Sequence, residues 1–358
     1  MRAALRAMLA FASATALRAP PSAIARLGAR RASAAAAASD ALKPPPPSPL
    51  VKYSLRGRDI YVKRDDQYRL THAFGAGVCG NKARKLFTLS EAGPGAGAVA
   101  SLGGHQSNAL PSLAALCRAR GVPFYYICKP VPRWLRGQPA GNYARALALG
   151  VELLPLAADD YRLAAADDAF RSELLADYIG SDDFRWVPQG GACGDAEAGV
   201  AMLADELADD LRGLGRARVV IPGGTGTTAL YVTRRLAEIA PDIEVCAVAC
   251  ATSAETLERQ MVTLGGDDGP LPAILEPDRD HDHRFGRPCA RDLAVWRECA
   301  HAGLHVDLVY APHAIDTMLR RPDDGAPTCY VHCGGVEGVA TQLTRYRHAG
   351  LVDRADTQ

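Results

Sequence analysis

Short apolar runs alternate along this chain with segments whose apolar residues recur at the spacing of a helix. The apolar runs predict strands at residues 59–63, 98–102, 124–128, 151–154, 219–221 and 245–249. The periodic segments predict helices at residues 110–120, 142–149, 198–211 and 227–240. Because strands and helices alternate, the predicted fold class is α/β, with parallel sheets flanked by helices. Ligands of such folds bind beyond the carboxyl ends of the strands.

The N-terminal segment differs in composition from the rest of the chain. Residues 1–39 contain six arginines but no lysine and no acidic residue. This composition is typical of an organelle transit peptide, and a disordered alanine-rich tail is the alternative. We expect a transit peptide within residues 1–43 and a mitochondrial location, with the plastid as the alternative. Residues 44–49 are five prolines and a serine, which predicts a stiff linker before the folded part.

Overall composition narrows the class of partner. The 358 residues have a formal net charge of +1, so nothing favours nucleic acid as a partner. No run of about 18 apolar residues occurs, so we expect no membrane partner. Ten cysteines without a CxxC pair indicate free thiols. His281 and His283 lie in a loop rich in Pro, Asp and Arg, which favours solvated histidines, and we expect no metal site.

A lysine lies where a turn meets a predicted helix. The segment from Gly80 to Lys85 reads Gly-Asn-Lys-Ala-Arg-Lys, with Lys82 at its centre. A lysine that bonds a carbonyl carbon needs a lowered pKa, from loss of water or from cationic neighbours such as Arg84. Taken alone, however, the segment is better explained as a basic surface turn.

Two loops that follow predicted strands carry groups suited to anions. Gly103 to Asn108 offers backbone amides, the Ser107 hydroxyl and the Asn108 amide to an anion or phenolate, and an ordinary helix cap is the alternative. Pro222 to Thr228 offers amides and hydroxyls to a phosphate at a helix start. This second loop lacks the lysine of a P-loop and the GxGxxG spacing of a dinucleotide site.

Two features near the C-terminus complete the set. Val331 to Gly338 again gives a strand, a glycine turn and a helix start. Residues 307–310 read as an apolar strand that ends in Tyr310, although a lone buried tyrosine usually belongs to a core.

In this order, the motifs resemble those of pyridoxal-phosphate enzymes with the tryptophan synthase β-like fold, also called fold type II. The resemblance is to the family of 1-aminocyclopropane-1-carboxylate deaminase and D-cysteine desulfhydrase, over about residues 50–345. Asn81 to Lys85 matches the lysine motif of that family, and Gly104 to Asn108 matches its Gln-Ser-Asn loop. Organellar D-cysteine desulfhydrase-like proteins of plants and algae are the most similar, because they share Gly-Asn-Lys-Ala-Arg-Lys and Gly-Thr-Gly-Thr-Thr.

The resemblance implies pyridoxal 5′-phosphate as cofactor and a role for each motif residue. Lys82 would bond the cofactor's aldehyde carbon and move protons at the substrate α-carbon. Tyr310 would stand over the cofactor, and Cys333 would lie near its pyridine nitrogen. Asn108 would donate to the phenolic oxygen, while Ser107 and Gln106 would bind the substrate. The phosphate would be held by Gly223, Gly224, Thr225, Gly226, Thr227 and Thr228.

The chain departs from the family pattern at two positions. Ala311 follows Tyr310, where the deaminases have a glutamate that pairs with the pyridine nitrogen. A neutral site weakens the electron sink, which argues against ring opening and for β-elimination. Ala109 follows Asn108, where relatives commonly have a polar side chain, so this position bears on substrate identity.

We therefore expect a lyase that converts D-cysteine to pyruvate, hydrogen sulfide and ammonia. The alternatives are 1-aminocyclopropane-1-carboxylate deaminase and a non-catalytic member of the same fold. The expected partner is a small amino-acid substrate, and the resemblance implies a homodimer. We predict a large cofactor-binding domain from residues 44–96 and 191–358, and a small domain from residues 97–190.

Overall fold

The computed structural model describes residues 45–70, 77–277 and 283–353, and the predicted transit peptide lies outside these ranges. Ten strands form two sheets in the described chain. The strands are β1 (Leu50–Leu55), β2 (Arg58–Lys63), β3 (Ala98–Leu102), β4 (Phe124–Cys128), β5 (Glu152–Pro155), β6 (Phe184–Val187), β7 (Ala217–Gly223), β8 (Ile243–Ala249), β9 (Ala273–Leu275) and β10 (Thr328–Val331).

Helices cover the sheets. In chain order they are α1 (Asn81–Lys85), α2 (Phe87–Ala92), α3 (Ala109–Arg120), α4 (Arg133–Gly137), α5 (Gly141–Ala148), α6 (Ala158–Ala166), α7 (Asp168–Ile179), α8 (Ala196–Asp210), α9 (Thr227–Ile239), α10 (Ala254–Gly265), α11 (Ala290–His301), α12 (Ala311–Arg320) and α13 (Val339–His348). None of these helices is long and apolar enough to span a membrane.

The sheet topology confirms the predicted α/β class. The larger sheet has the strand order β1-β2-β10-β7-β8-β9, and the smaller has the order β5-β4-β3-β6. Only β1 and β2 pair in antiparallel fashion among these strands, and the other pairs are parallel. β7 is buried at every residue, as expected for a central strand covered on both faces.

All four strands of the smaller sheet lie within residues 97–190, and those of the larger sheet lie outside that range. α1 and α2 precede β3 in the chain, yet Leu86 and Leu89 belong to the apolar core that α3 forms against the smaller sheet. The lysine turn therefore lies where the two sheets approach each other. The exact domain limits stay a prediction.

Several local predictions differ from the structure. Ser48 of the predicted linker is only 4% exposed, and its carbonyl accepts a hydrogen bond from the Lys63 ammonium at 2.6 Å, so the segment from residue 45 onward is part of the fold. Residues 307–310 form a bend instead of a strand, because the Asp307 carboxylate binds the following backbone N–H groups. β1 was missed because its polar residues obscure the apolar pattern of an edge strand.

Candidate active site

Lys82 lies in the first turn of α1, and a close backbone contact fixes that turn. The Asn81 N–H donates to the Cys333 carbonyl at 3.0 Å, which joins α1 to the end of β10. Gly80 has φ +67°, and a Cβ there would lie 2.5 Å from the Cys333 oxygen. Glycine is therefore required at this position for both its conformation and its size.

The Lys82 ammonium sits in a poorly hydrated place. Burial lowers the pKa of Lys82 below its usual 10.5, and the nearby Cys333 opposes this effect. Its Nζ donates to Asn81 Oδ1 at 3.0 Å. A lysine whose proton leaves at lower pH presents a neutral amine, which is the form that attacks a carbonyl carbon.

Several predicted site residues line one small cavity with Lys82. Asn108 and Cys333 border this space of about 20 Å³, together with Asn81, Asn142 and Gly335. Burial raises the pKa of the Cys333 thiol to about 12, so it stays protonated at neutral pH. Arg145 and Glu337 lie at the same cavity, and the Glu337 carboxylate accepts a hydrogen bond from the Cys79 thiol.

The predicted phosphate loop joins β7 to α9 and lies beside Tyr310. A Cβ on Gly224 would lie 3.3 Å from the Tyr310 ring, so the ring packs directly on the loop. Gly226 has φ +74°, and a Cβ there would lie 2.3 Å from Met261 Cγ. The Thr225 and Thr227 hydroxyls are 2.9 Å apart. The loop thus presents main-chain N–H groups at the start of a 13-residue helix.

Lys85 is a buried lysine that is not among the predicted site residues. It is 5% exposed, and burial together with the Lys82 charge lowers its pKa well below 10.5. Its side chain lies against Gly191, and the adjacent Gly190 faces Thr225 of the phosphate loop. A phosphate dianion bound at this loop would favour the protonated form of the Lys85 amine.

The side-chain amide of Gln106 links its own loop to the start of α5. Its Nε2 donates to the Ala140 carbonyl at 3.0 Å, and its Oε1 accepts from the Asn142 N–H at 3.0 Å. Ser107 accepts a weaker bond from the Ala109 N–H at 3.3 Å. The geometry gives Gln106 a positioning role, and the substrate-binding roles of Gln106 and Ser107 stay predictions.

His283 is not the solvated histidine that its loop predicted. Its side chain is 8% exposed, with Nδ1 2.9 Å from Asp292 Oδ2 and Nε2 2.9 Å from the Cys250 carbonyl oxygen. The ring stacks on His313 with centroids 3.8 Å apart and planes 14° apart. Nearly parallel rings do not direct their in-plane lone pairs at one point, so this cluster favours an imidazolium–carboxylate pair over a metal site.

A larger cavity of about 480 Å³ lies beside this pair, at the end of β8. Phe285 lines it and also contacts the Tyr310 ring edge-on, with centroids 5.1 Å apart. Lys82 does not line this cavity. Choosing the larger cavity as the active site would therefore leave out Lys82, the predicted catalytic residue.

The sequence profile of the family described as "Pyridoxal-phosphate dependent enzyme" matches residues 41–320. The chain belongs to this family. The protein is therefore a pyridoxal-phosphate-dependent enzyme of fold type II, with pyridoxal 5′-phosphate as its cofactor. No curated protein matches the chain in sequence.

Solved structures share the fold of this chain. A structure described as an ACC deaminase homologue is 22% identical, with a TM-score of 0.66 over 84% of this chain and 94% of the other. A hydrogen sulfide-producing enzyme from Fusobacterium nucleatum is 15% identical, with a TM-score of 0.56 over 84% and 99%. Maize serine racemase is 12% identical, with a TM-score of 0.56 over 85% and 92%.

The residues of the site fit this cofactor. The Thr228 hydroxyl at the start of α9 is buried and has no hydrogen-bond partner among the described residues, so a phosphate oxygen would satisfy it. Lys85 would offset the phosphate charge, and the loop from Gly223 to Thr227 would supply N–H donors. Lys82, Asn108 and Cys333 border the small cavity, and these three residues would hold the ring.

We expect Gly80→Ala to weaken cofactor binding and to lower the free energy of unfolding by about 1–3 kcal/mol. The new methyl group would push the Cys333 carbonyl and so displace the turn that carries Lys82. Gly57→Ala is the matched control, because Gly57 has φ +72° but no atom within 4 Å of a Cβ. Urea unfolding and cofactor titration of both variants separate the clash from the backbone strain. Equal losses in the two variants would contradict the steric account.

Proposed function

We propose that this enzyme is a lyase that converts D-cysteine and water to pyruvate, hydrogen sulfide and ammonia. One observation carries the proposal. Ala311 is fully buried at the start of α12, directly after Tyr310, so this position supplies a methyl group and no acid. The Cys333 thiol, with its pKa raised to about 12, is likewise neutral. The site therefore favours a substrate whose β-substituent leaves easily.

The cofactor, when bound, supplies an electron sink for the α-carbon of an amino acid. In this proposal Lys82 takes and returns the α-proton, a role that its poorly hydrated amine and lowered pKa support. Ser107 and the N–H groups of its loop offer donors to the substrate carboxylate. Tyr310 packs against the predicted phosphate loop, and Phe285 contacts its ring edge-on.

Asp307 holds Tyr310 in place. Its Oδ1 accepts from the Val309 and Tyr310 N–H groups at 2.8 and 2.6 Å, and its Oδ2 accepts from the Ala311 N–H at 3.3 Å. Burial raises the pKa of Asp307, while these N–H groups oppose the effect. This carboxylate therefore serves the start of α12 instead of replacing the missing glutamate.

A substrate panel tests the proposal directly. The purified protein is incubated with D-cysteine, L-cysteine or 1-aminocyclopropane-1-carboxylate, and pyruvate, sulfide and 2-oxobutanoate are measured. Pyruvate and sulfide in equal amounts from D-cysteine are expected. Release of 2-oxobutanoate from the cyclopropane acid would support the deaminase alternative instead. Visible cofactor absorbance without turnover of any of the three would support a non-catalytic member of the fold.

Ala311→Glu tests whether the lack of an acid at this position sets the substrate preference. An acid at this position would strengthen the electron sink, so we expect turnover of the cyclopropane acid to rise relative to D-cysteine by about tenfold, equivalent to about 1.4 kcal/mol. Ala311→Gln has nearly the same size without the charge and is the control. An equal change of the ratio in both variants would show that volume, and not charge, sets the preference.

Two further properties are proposed from the sequence. We infer a homodimer and import into the mitochondrion, with the plastid as the alternative. Light scattering of the purified protein tests the first, and the location of a fluorescent fusion with residues 1–43 tests the second.

A further inference from the structure

All three asparagines of the chain lie in one place. The 358 residues contain only Asn81, Asn108 and Asn142, and all three line the small cavity with Lys82. Asn81 accepts from the Lys82 ammonium, and Asn108 was predicted to face the cofactor's phenolic oxygen. Asn142 belongs to none of the sequence motifs, although it is only 1% exposed.

The hydrogen bonds of Asn142 fix which way its amide points. Its Nδ2 lies 3.0 Å from the Gln106 carbonyl oxygen and 2.7 Å from Asn108 Oδ1. A backbone carbonyl can only accept a hydrogen bond, so the atom facing it must be the NH₂ group. The second hydrogen of that NH₂ group is then directed at Asn108, which must present its oxygen.

The direction of the Asn142 amide also determines which end of the Asn108 amide faces the cavity. With Oδ1 turned towards Asn142, the Asn108 NH₂ group points the other way, beside Gly335. A Cβ on Gly335 would lie 2.6 Å from Asn108 Nδ2, so only glycine leaves this space open. Gly335 and Asn108 border the cavity together with Lys82. The group that Asn108 presents there is therefore a donor, and a phenolate oxygen only accepts.

The main chain around Asn142 is also held. The Gln106 amide bonds the Ala140 carbonyl and the Asn142 N–H, and Gly141 between them has φ +59°. A Cβ on Gly141 would lie 2.5 Å from Thr341 Cγ2 in α13 and 2.6 Å from Gln106 Oε1. Asn142 is thus fixed where α5 of the smaller-sheet region meets α13.

We propose that Asn142 is a positioning residue that sets the polarity of the Asn108 amide toward the cofactor. The Gln106 carbonyl fixes the direction of the Asn142 amide, and the Asn142 amide fixes that of Asn108. The Asn108 NH₂ group then donates to the phenolic oxygen. Asn142 thereby strengthens cofactor binding and favours the ionised phenolate. The proposal depends on the pyridoxal-phosphate site and on no particular substrate.

Asn142→Asp reverses this polarity with almost no change of shape. A carboxylate only accepts, so it would repel the Gln106 carbonyl and draw the Asn108 NH₂ group away from the cavity. We expect the cofactor dissociation constant to rise about tenfold or more. The pH midpoint of the cofactor's visible absorbance should also rise, because a phenolate without a donor holds its proton more tightly. Asn142→Ser, which can donate or accept, should give smaller shifts in the same direction.

The Asn108→Ala background decides whether the effect passes through Asn108. There, Asn142→Asp should change the dissociation constant and the absorbance midpoint less than twofold. Gln342→Glu, the same chemical change at a buried amide in α13 outside the cavity, is the matched control and should leave the absorbance unchanged. Full shifts in both backgrounds, or wild-type absorbance in Asn142→Asp and Asn142→Ser, would overturn the proposal. Thermal unfolding of each variant identifies any that fail to fold.

Discussion

Lys82→Ala is expected to abolish the visible absorbance of the bound cofactor and to reduce turnover by about 100- to 10,000-fold. Lys82 is the residue that we predict both to bond the cofactor's aldehyde carbon and to move the α-proton. Burial lowers its pKa, so its amine loses a proton more readily than that of an exposed lysine. The measurements are the absorption spectrum of the variant after cofactor addition and its turnover of D-cysteine.

Lys85→Met is the matched control for this experiment. Lys85 lies three residues later in α1 and is also buried, but its side chain faces Gly191 and not the small cavity. Its loss should weaken cofactor affinity by about tenfold, the effect of one charged hydrogen bond, while the covalent absorbance survives at saturating cofactor. If the absorbance survived in Lys82→Ala and disappeared in Lys85→Met, the covalent bond would be to Lys85 and not to Lys82.

Arg84→Met is expected to lower the free energy of unfolding by about 3–5 kcal/mol. The Arg84 guanidinium is completely buried and bonds Asp65 Oδ1 at 2.8 Å and Glu206 Oε1 at 2.7 Å. It also lies 3.3 Å from the centre of the Tyr68 ring. Its removal leaves the Asp65 carboxylate buried without its counter-charge, which is far more costly than the loss of a surface pair.

The pH dependence of stability provides a second measurement on the ion pairs that Arg84 forms with Asp65 and Glu206. Burial alone would raise the pKa of Glu206, but Arg84 and Lys63 outweigh it and hold the pKa below 4.5. A lowered carboxyl pKa contributes stability above 4.5 that is lost as the pH falls through the folded value. Urea unfolding at neutral pH and below 4.5 should therefore show a smaller difference between wild type and Arg84→Met in acid.

Two variants serve as controls for Arg84→Met. Arg84→Met combined with Asp65→Leu should recover part of the lost stability, because no unpaired charge is then buried. Arg162→Met breaks the pair with Asp159, whose side chains are 72% and 87% exposed, and should cost less than about 1 kcal/mol. A loss in Arg162→Met equal to that in Arg84→Met would contradict the role of burial.

Local pattern predicted the central elements well. β3 and β4 have the predicted limits, and α9 begins at the predicted Thr227. These segments are apolar on the faces that the sheet buries, so their pattern is strong. β1 and the bend at residues 307–310 were mispredicted because their geometry depends on partners distant in the chain or on a side chain, Asp307, that binds the backbone.

The candidate site was predicted only in part, because some of its residues have no local signal. Lys82 and Asn108 lie in motifs that can be recognised from the sequence alone. Lys85 is not among the predicted site residues, and its burial beside Gly191 is evident only in the structure. Asn142 had one signal that could have found it: it is one of three asparagines in the whole chain.

The sequence by itself determined the α/β class, the order of the motifs and the prediction that Lys82 bonds the cofactor, because these follow from short-range periodicity and from residues adjacent in the chain. Only the tertiary structure decided which groups face one another. Asn108 and Asn142 are 34 residues apart and meet at 2.7 Å, while Gly80 contacts the Cys333 carbonyl across some 250 residues of chain. Burial, pKa shifts and the direction of an amide depend on such contacts, so no local pattern could supply them.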